Sequence, residues 1–233
     1  MRKRLSLLLV LFLGGIVIMT GCRENKNSRQ WIENKVSAVS RVYPTEDLFD
    51  LFKEFPEGFE IYQEETAQDE GISTRVEITI IGEAKTKKIE GVLKKILVET
   101  NPYSEEILMS IPVTYKNGQF NFSDEDNAQE IWRYGGFLFQ KLSLSKEYLS
   151  NLKYSSKSYD SITTDYDLTY KMKNKEIQSF FNLAVTREVN IEISGSEAND
   201  QYGYKHSLLI RKDPDIYNFR ETVSTLEENK NAE

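Results

Sequence analysis

Apolar residues recur with two different periods along the chain, and the change of period separates predicted helices from predicted strands. The first stripe, between positions 31 and 42, has helical spacing and predicts an amphipathic helix that stops before Pro44. Its members are Trp31, Ile32, Val36, Val39 and Val42. Thr45 then offers an N-cap, with Glu46 and Asp47 in the first turn of a short second helix whose apolar face spans positions 48–52.

From Phe59 the period becomes that of a strand. Val76, Ile78 and Ile80 alternate with polar residues, which predicts a strand with one buried face and one wet face. Residues 91–99, 106–115 and 119–122 continue as predicted strands. Asn101-Pro102 and Asn117-Gly118 supply the turns between them. These connections are too short for helical crossovers, so the pattern indicates an antiparallel meander.

The middle of the chain returns to helical signals. Ser123 and Asp126 match a capping box, which predicts a helix starting near Asp124. Gly135-Gly136 breaks it, and residues 137–152 form a second helical or mixed segment.

Extended chain dominates the C-terminal part. It is predicted over Tyr154–Tyr170, with Tyr166, Leu168 and Tyr170 on one face, followed by a helix over 174–183. Strands are predicted over 189–194, 202–212 and 217–226, with a turn at Asp213-Pro214 and a frayed end over 227–233.

These elements predict an α+β fold, a mainly antiparallel twisted sheet with flanking helices. No exact repeat or Pro-rich linker divides residues 30–233, so we expect one domain there, and two packed lobes are the alternative.

The N-terminus carries an export signal. Met1-Arg2-Lys3-Arg4 is followed by an apolar stretch that ends in Met19-Thr20-Gly21-Cys22, where polarity changes abruptly. This resembles a bacterial lipobox, which implies a signal peptide over residues 1–21, cleavage before Cys22, and attachment of diacylglycerol to the Cys22 sulfur. An uncleaved membrane anchor is the alternative, although Leu5 to Gly21 lies at the short limit of about 17 residues for a bilayer span.

Lipidation of Cys22 predicts a protein held at the extracytoplasmic face of the cell membrane. Two acyl chains meet the requirement for stable anchoring. Residues 22–29 are polar after the cysteine and are expected to form a tether. Cys22 is the single cysteine, so no internal disulfide is expected.

The charge of the chain limits its partners. The formal net charge is −7, and removal of Arg2, Lys3 and Arg4 makes the remaining domain more acidic still. An acidic body opposes binding to nucleic acid, so we expect no nucleic-acid partner.

No catalytic constellation is visible. His206 is the sole histidine, and we expect it to be a structural residue of a strand rather than a general base. Asp124-Glu125-Asp126 resembles the start of a calcium loop, but Gln129 and Gly135 stand where that loop requires Gly and Glu. The paired acids, such as Glu64-Glu65 and Glu105-Glu106, have no pattern that distinguishes glycosidase carboxylates from solvated faces. We therefore expect no catalytic residue, metal or cofactor.

Lysines concentrate in one segment of this acidic chain, at Lys85, Lys87, Lys88, Lys94 and Lys95. One reading is a docking patch for an anionic polymer or a host surface. The other reading, which we favour, is protection of an edge strand by lysine.

Taken together, these segments resemble the staphylococcal tandem lipoproteins. The residues that carry the resemblance are Cys22 with its polar tether, Tyr43–Asp50, Lys87–Lys95, Tyr134–Phe137, Tyr154–Lys171, Ile191–Ser196 and Tyr202–Ile210. The chain departs from the family at Ile61-Tyr62-Gln63 and Glu77-Ile78-Thr79, where a Trp-containing strand is expected.

The resemblance implies a surface lipoprotein with an α+β fold, encoded among paralogues, that contacts host cells and stimulates innate immunity through its lipidated terminus. It implies no enzyme activity and assigns a role to Cys22 alone. The alternative is a solute-binding or hydrolytic envelope lipoprotein, which a polar pocket holding His206 or convergent carboxylates would favour.

Overall fold

The computed structural model describes residues 24–69, 72–212 and 217–226. Ten strands of these residues form one antiparallel sheet. The strands are β1 (Gly58–Asp69), β2 (Ile72–Glu83), β3 (Lys88–Thr100), β4 (Tyr103–Lys116), β5 (Gln119–Phe122), β6 (Lys153–Tyr159), β7 (Asp165–Met172), β8 (Val189–Ser196), β9 (Lys205–Lys212) and β10 (Tyr217–Thr225). The predicted α+β fold with a mainly antiparallel sheet is confirmed.

The sheet consists of two meanders joined at its centre. Its order is β5-β4-β3-β2-β1-β10-β9-β8-β7-β6, so the first and last of the described strands are neighbours. In that pair Ile61 lies opposite Val223, and Glu64 lies opposite Arg220. The connection from β5 to β6 carries the chain from one edge of the sheet to the other.

The turn chemistry agrees with the sequence prediction. Asn117 and Gly118 have φ values of 55° and 75°, as a two-residue hairpin turn between β4 and β5 requires. Asn101-Pro102, with a cis peptide bond, joins β3 to β4. Ile78 and Ile80 of β2 are buried, and so are Tyr166, Leu168 and Tyr170 of β7.

Helices cover the apolar face of the sheet. They are α1 (Arg29–Val36), α2 (Leu51–Glu54), α3 (Glu125–Ile131), α4 (Lys146–Ser150), α5 (Lys175–Phe180) and α6 (Glu197–Tyr202), together with 3-10 turns at Ser37–Arg41, Leu48–Asp50 and Leu138–Gln140. The helix predicted to stop before Pro44 does so, with α1 continuing into the first 3-10 turn. Helix α1 packs on β7 and β8.

Two predicted caps were wrong by one or two residues. Thr45 does not cap the second helical segment, because its Oγ1 donates to the Val42 carbonyl and closes the preceding turn at 2.7 Å. Asp47 is the cap and accepts from the Phe49 N–H at 3.0 Å. The cap of α3 is Asp124, which accepts from the Asn127 N–H, rather than Ser123. A carboxylate one residue closer to the helix displaces the predicted serine.

Strand β9 starts later than predicted. Residues 197–202 form α6, capped by the Ser196 hydroxyl, and the chain turns at Gly203 with a φ of 146°. Tyr202 therefore belongs to a helix, and the strand begins at Lys205. The predicted turn at Asp213-Pro214 and the end at 227–233 lie outside the described residues.

The long edge strand β4 is only partly covered. Strand β5 pairs with residues 113–116, which leaves residues 103–112 as an edge. A register shift opposite Lys95 and Ile96 inserts an extra residue at Leu108, and Pro112 lacks an N–H. Bulges and prolines are common means of protecting an edge.

Candidate functional site

Cys22 and the predicted signal peptide lie outside the described residues. The described part of the predicted tether contacts the domain. Lys26 Nζ lies 2.9 Å from both carboxylate oxygens of Glu197, and 5.8 Å from the ring centroid of Trp31. Lys157 donates to the backbone oxygen of Asn27, and Ser28 caps α1. The chain is thus attached to the domain from Lys26 onward.

This attachment defines one end of the sheet. Glu197 follows β8 directly, next to the start of β7 at Asp165. The start of β1 at Gly58 lies at the same end, because β7, β8, β9, β10 and β1 alternate in direction. The tips of the β1–β2 and β3–β4 hairpins lie at the other end, about 40 Å away for strands of 12 residues. Among the described residues, no helix is long and apolar enough to cross a bilayer.

Four exposed apolar side chains lie toward the tips of these two hairpins, while Ile162 and Val185, in loops elsewhere, are more exposed. Tyr103 and Ile107 are 70% and 58% exposed, and Ile72 and Leu108 are close to half exposed. The outer face between them is polar: Arg75 forms ion pairs with Glu105 and Glu77.

The basic segment does not form the predicted edge protection. Strand β3 lies between β2 and β4, so its lysines cannot protect an edge. Nor do the five lysines share one face. Lys94 pairs with Glu77 at 3.4 Å, and Lys87 lies over the ring of Phe52 at 4.3 Å, while Lys95 follows Lys94 on the opposite face. The lysines of this segment therefore make separate local contacts and do not form one basic patch.

His206, for which we predicted a structural role, is buried in the domain. It lies on the buried face of β9, between Tyr204 and Leu208, and its Nε2 is 3.3 Å from Tyr166 Oη. Ser207 points to the opposite face and bonds Thr222 at 2.7 Å. Among the described residues, no cluster of histidine and carboxylate side chains could hold a metal ion.

The acids singled out in the sequence have structural partners. Asp124 caps α3, Glu65 pairs with Arg133, and Glu105 pairs with Arg75. Each of these three acids is thus held by a hydrogen bond or an ion pair within the domain.

A cavity of about 220 Å³ borders His206. It lies between the C-terminal part of the first helical segment, the start of β9 and the start of β7. Its polar lining residues are Asn34, Lys35, Arg41, Tyr166, Tyr204 and His206, and Ala38 and Gly203 complete the wall. None of the described residues that line it is acidic, although the chain has a net charge of −7. Sequence reasoning found His206 but missed the cavity, because its walls come from positions 34–41, 166 and 203–206.

The cationic residues of this wall are held by aromatic rings. The Arg41 guanidinium lies 5.0 Å from the Tyr204 ring centroid, and Lys35 Nζ lies 5.4 Å from that of Trp31. Glu54 forms an ion pair with Arg41. The Tyr204 hydroxyl is buried and finds no hydrogen-bond partner among the described residues. Burial raises the pKa of Tyr204, which keeps the hydroxyl a neutral donor.

A second depression, of about 420 Å³, lies beside β5 and α3. Its aromatic residues are Tyr115, Phe120, Phe122 and Trp132. These rings pack against one another, with centroids of Phe120 and Trp132 5.1 Å apart. Trp132 Nε1 donates to Gln63 at 2.8 Å, so this indole belongs to the core.

One buried carboxylate escaped the sequence analysis. Glu221 of β10 is fully buried and accepts four hydrogen bonds, from Tyr43 Oη at 2.8 Å, Gln63 Nε2 at 3.0 Å, Leu138 N at 2.7 Å and Phe139 N at 2.9 Å. Burial raises the pKa of Glu221, and the four donors oppose that rise. The signal was its alternation with Phe219 and Val223, which puts it on the apolar face. Because Glu221 is shielded from solvent, its hydrogen bonds join distant segments inside the core.

Comparisons with known proteins give a limited likeness. No protein-family model and no curated protein matches the sequence. The crystal structure of the Mycobacterium tuberculosis lipoprotein LppX aligns at 11% identity and a TM-score of 0.38, covering 88% of this chain and 100% of that chain. The structure of LprF from Mycobacterium bovis aligns at 10% identity and a TM-score of 0.33, covering 83% and 90%. The resemblance to the staphylococcal tandem lipoproteins stays a prediction.

Proposed function

We propose that this protein is a non-enzymatic lipoprotein, anchored at the extracytoplasmic face of the cell membrane by a diacylglycerol on Cys22. The observation that carries this proposal is the leader that ends at the single cysteine, followed by a polar segment. The partner of the N-terminus is the membrane lipid itself.

The docked Lys26 adds a geometric consequence. Cys22 and Lys26 are four residues apart, so an extended chain separates them by at most about 14 Å. A lipid on Cys22 therefore holds the Lys26–Glu197 end of the sheet close to the bilayer. The β1–β2 and β3–β4 hairpins, with exposed Tyr103 and Ile107, belong to the end that is free to contact another surface.

The finer proposal is that the domain contacts a host or envelope surface, while the lipidated terminus stimulates innate immunity. The separation of the two ends of the molecule supports two separable activities. Aromatic and apolar residues exposed together are common at protein interfaces. The hairpin residues are therefore our candidates for that contact.

A direct experiment compares the wild-type lipoprotein, Cys22→Ala and Ile107→Glu. Metabolic labelling with a palmitate analogue should mark wild type and Ile107→Glu, but not Cys22→Ala. Activation of lipopeptide-receptor reporter cells should follow the label. Binding to host cells should persist in Cys22→Ala and fall in Ile107→Glu.

Labelled Cys22→Ala protein would refute the lipoprotein assignment. Equal reporter activation by endotoxin-free, unlipidated protein would refute the immune role. Host-cell binding that is absent, or unchanged in Ile107→Glu, would remove the proposed contact surface.

Solute binding by the same lipoprotein is a second candidate function. The specific observation that favours it is the polar cavity beside His206, which holds cationic groups and a buried hydroxyl without a partner among the described residues. Enzymatic hydrolysis has less support, because His206 contacts Tyr166 and its neighbour Ser207 lies on the opposite face.

A further inference from the structure

The cavity beside His206 combines features that a site for a small anion needs. Two cationic side chains, Lys35 and Arg41, line it, and Asn34, Tyr204 and His206 add groups that can donate hydrogen bonds. Its volume of about 220 Å³ lies below the range of about 300–1,000 Å³ typical of sites for drug-sized ligands. It therefore suits a molecule of only a few heavy atoms, or one charged group of a larger one.

The charge of the wall differs from that of the molecule. Acids outnumber basic residues in the chain, 37 to 30, yet no acid occurs among the described residues that line the cavity. Both cations have a carboxylate nearby: Glu54 forms an ion pair with Arg41, and Glu197, which pairs with Lys26, also interacts electrostatically with Lys35. Glu54 and Glu197 offset part of the two positive charges, and the Arg41 guanidinium keeps further N–H donors beyond the one in its ion pair.

The buried hydroxyl is the second independent sign. Tyr204 is 4% exposed, and its Oη has no hydrogen-bond partner among the described residues. A buried hydroxyl without a partner is destabilising and calls for an explanation such as a bound ion or ligand. The position is well defined, because Phe55 and His206 pack against the Tyr204 ring with centroids 5.4 and 4.7 Å away.

We infer that the cavity formed by Asn34, Lys35, Arg41, Tyr204 and His206 is a binding site for a small molecule or headgroup that carries a phosphate or carboxylate. The ligand's anionic oxygens lie between the Lys35 and Arg41 cations and accept hydrogen bonds from the polar wall. Neutral molecules of the same size lack this attraction. The inference deepens the solute-binding candidate and does not depend on host contact.

The single histidine provides a site-specific test. In the full lipidated chain, held in neutral detergent without a histidine tag and labelled only at histidine, every imidazole NMR signal comes from His206. Inorganic phosphate, acetate and glycerol 3-phosphate are titrated separately at constant ionic strength, and glycerol serves as the neutral control. At least one anion should shift the His206 signals in a saturable manner, and glycerol should not.

Charge variants assign the effect to the cavity. Lys35→Gln and Arg41→Gln should each weaken binding about tenfold, as expected for loss of one charge-assisted hydrogen bond. Arg41→Lys should restore part of the affinity. Lys116→Gln makes the same charge change at the exposed end of β4 and should bind like wild type. A far-UV circular dichroism spectrum and a thermal unfolding transition like those of wild type would establish that each variant is folded.

The origin of the anionic group is resolved by a parallel series in which phosphatidylglycerol is added to the detergent. Saturation by this lipid in the absence of soluble anion assigns the group to a headgroup, whereas saturation by glycerol 3-phosphate alone assigns it to a free solute.

Three results would each overturn the inference: no saturable shift with any anion, a shift equal to that caused by glycerol, or equal affinities in Lys35→Gln, Arg41→Gln and Lys116→Gln. Such a failure would leave lipidation of Cys22 untouched.

Discussion

Tyr43 and Glu221 are 178 positions apart in sequence, yet the Tyr43 hydroxyl donates a hydrogen bond of 2.8 Å to the Glu221 carboxylate inside the core. Gln63 and the backbone N–H groups of Leu138 and Phe139 complete the set of donors around the same side chain. One carboxylate thus joins the N-terminal helical segment, the central strands and the segment that follows α3.

Replacing this carboxylate by an amide should destabilise the fold. In Glu221→Gln the new NH2 group must face either Leu138 N–H or Phe139 N–H, because each carboxylate oxygen accepts one of them. Two buried donors facing each other should lower the free energy of unfolding by about 2–3 kcal/mol. Urea denaturation at pH 7 measures the change. Glu130→Gln, on the exposed side of α3, should stay within about 0.5 kcal/mol of wild type, and an equally small effect at Glu221 would contradict the network.

A second prediction concerns the close approach of β2 and β3. A Cβ added at Gly91 would lie 2.0 Å from the Thr79 carbonyl oxygen, a backbone atom that is fixed by the sheet. Gly91→Ala should therefore lower the free energy of unfolding by at least about 2 kcal/mol. In Gly136→Ala the nearest atom is the end of the Gln140 side chain at 3.0 Å, which can move. Thermal unfolding of both variants checks the difference, and equal losses would argue against this strand spacing.

Acid should release the N-terminal segment from the domain. Burial raises the pKa of Glu197, but hydrogen bonds from Lys26 and Tyr159 more than offset it, so the pKa lies below its ordinary value. Because the pKa of Glu197 is lower in the folded protein, its ion pair stabilises the fold fully at pH values above the unfolded-state pKa of about 4.3. That stabilisation is lost as the pH falls through the folded-state pKa.

This loss is measurable as faster proteolytic cleavage near residues 24–28 with an acid-stable protease below about pH 4. Glu197→Gln removes the titrating group, so its cleavage should be fast at neutral pH and nearly independent of pH. A wild-type rate that does not change on acidification would contradict the role of this ion pair.

The two tryptophans allow a test of the single domain. Trp31 contacts Tyr159 and Tyr166 in one half of the sheet, and Trp132 contacts Phe120 and Phe122 in the other. Because β1 and β10 join the halves in one continuous sheet, Trp31→Phe and Trp132→Phe should each unfold in one step, with fluorescence and far-UV circular dichroism coinciding. If, within either variant, fluorescence reported a different midpoint from circular dichroism, the alternative of two lobes would be correct.

Local patterns in the sequence determined most of the elements of this protein. Alternation placed Ile78 and Ile80 on a buried face, and Asn117-Gly118 identified a hairpin, because side-chain direction and turn conformation depend on a few adjacent residues. The lipidation prediction at Cys22 is likewise local and rests on the sequence alone. The caps at Asp47 and Asp124 were missed by one or two positions, since neighbouring polar residues compete for the same backbone N–H groups.

Tertiary structure alone decided which distant segments meet. The lysines of β3 are typical of an edge strand. In the structure β3 pairs with both β2 and β4, so it is an inner strand of the sheet. The pairing of β1 with β10, the hydrogen bonds of Tyr43 and Gln63 to Glu221, and the cavity beside His206 each bring together residues more than a hundred positions apart. Such contacts depend on how whole elements pack to bury apolar surface, a non-directional effect that no short stretch of residues encodes.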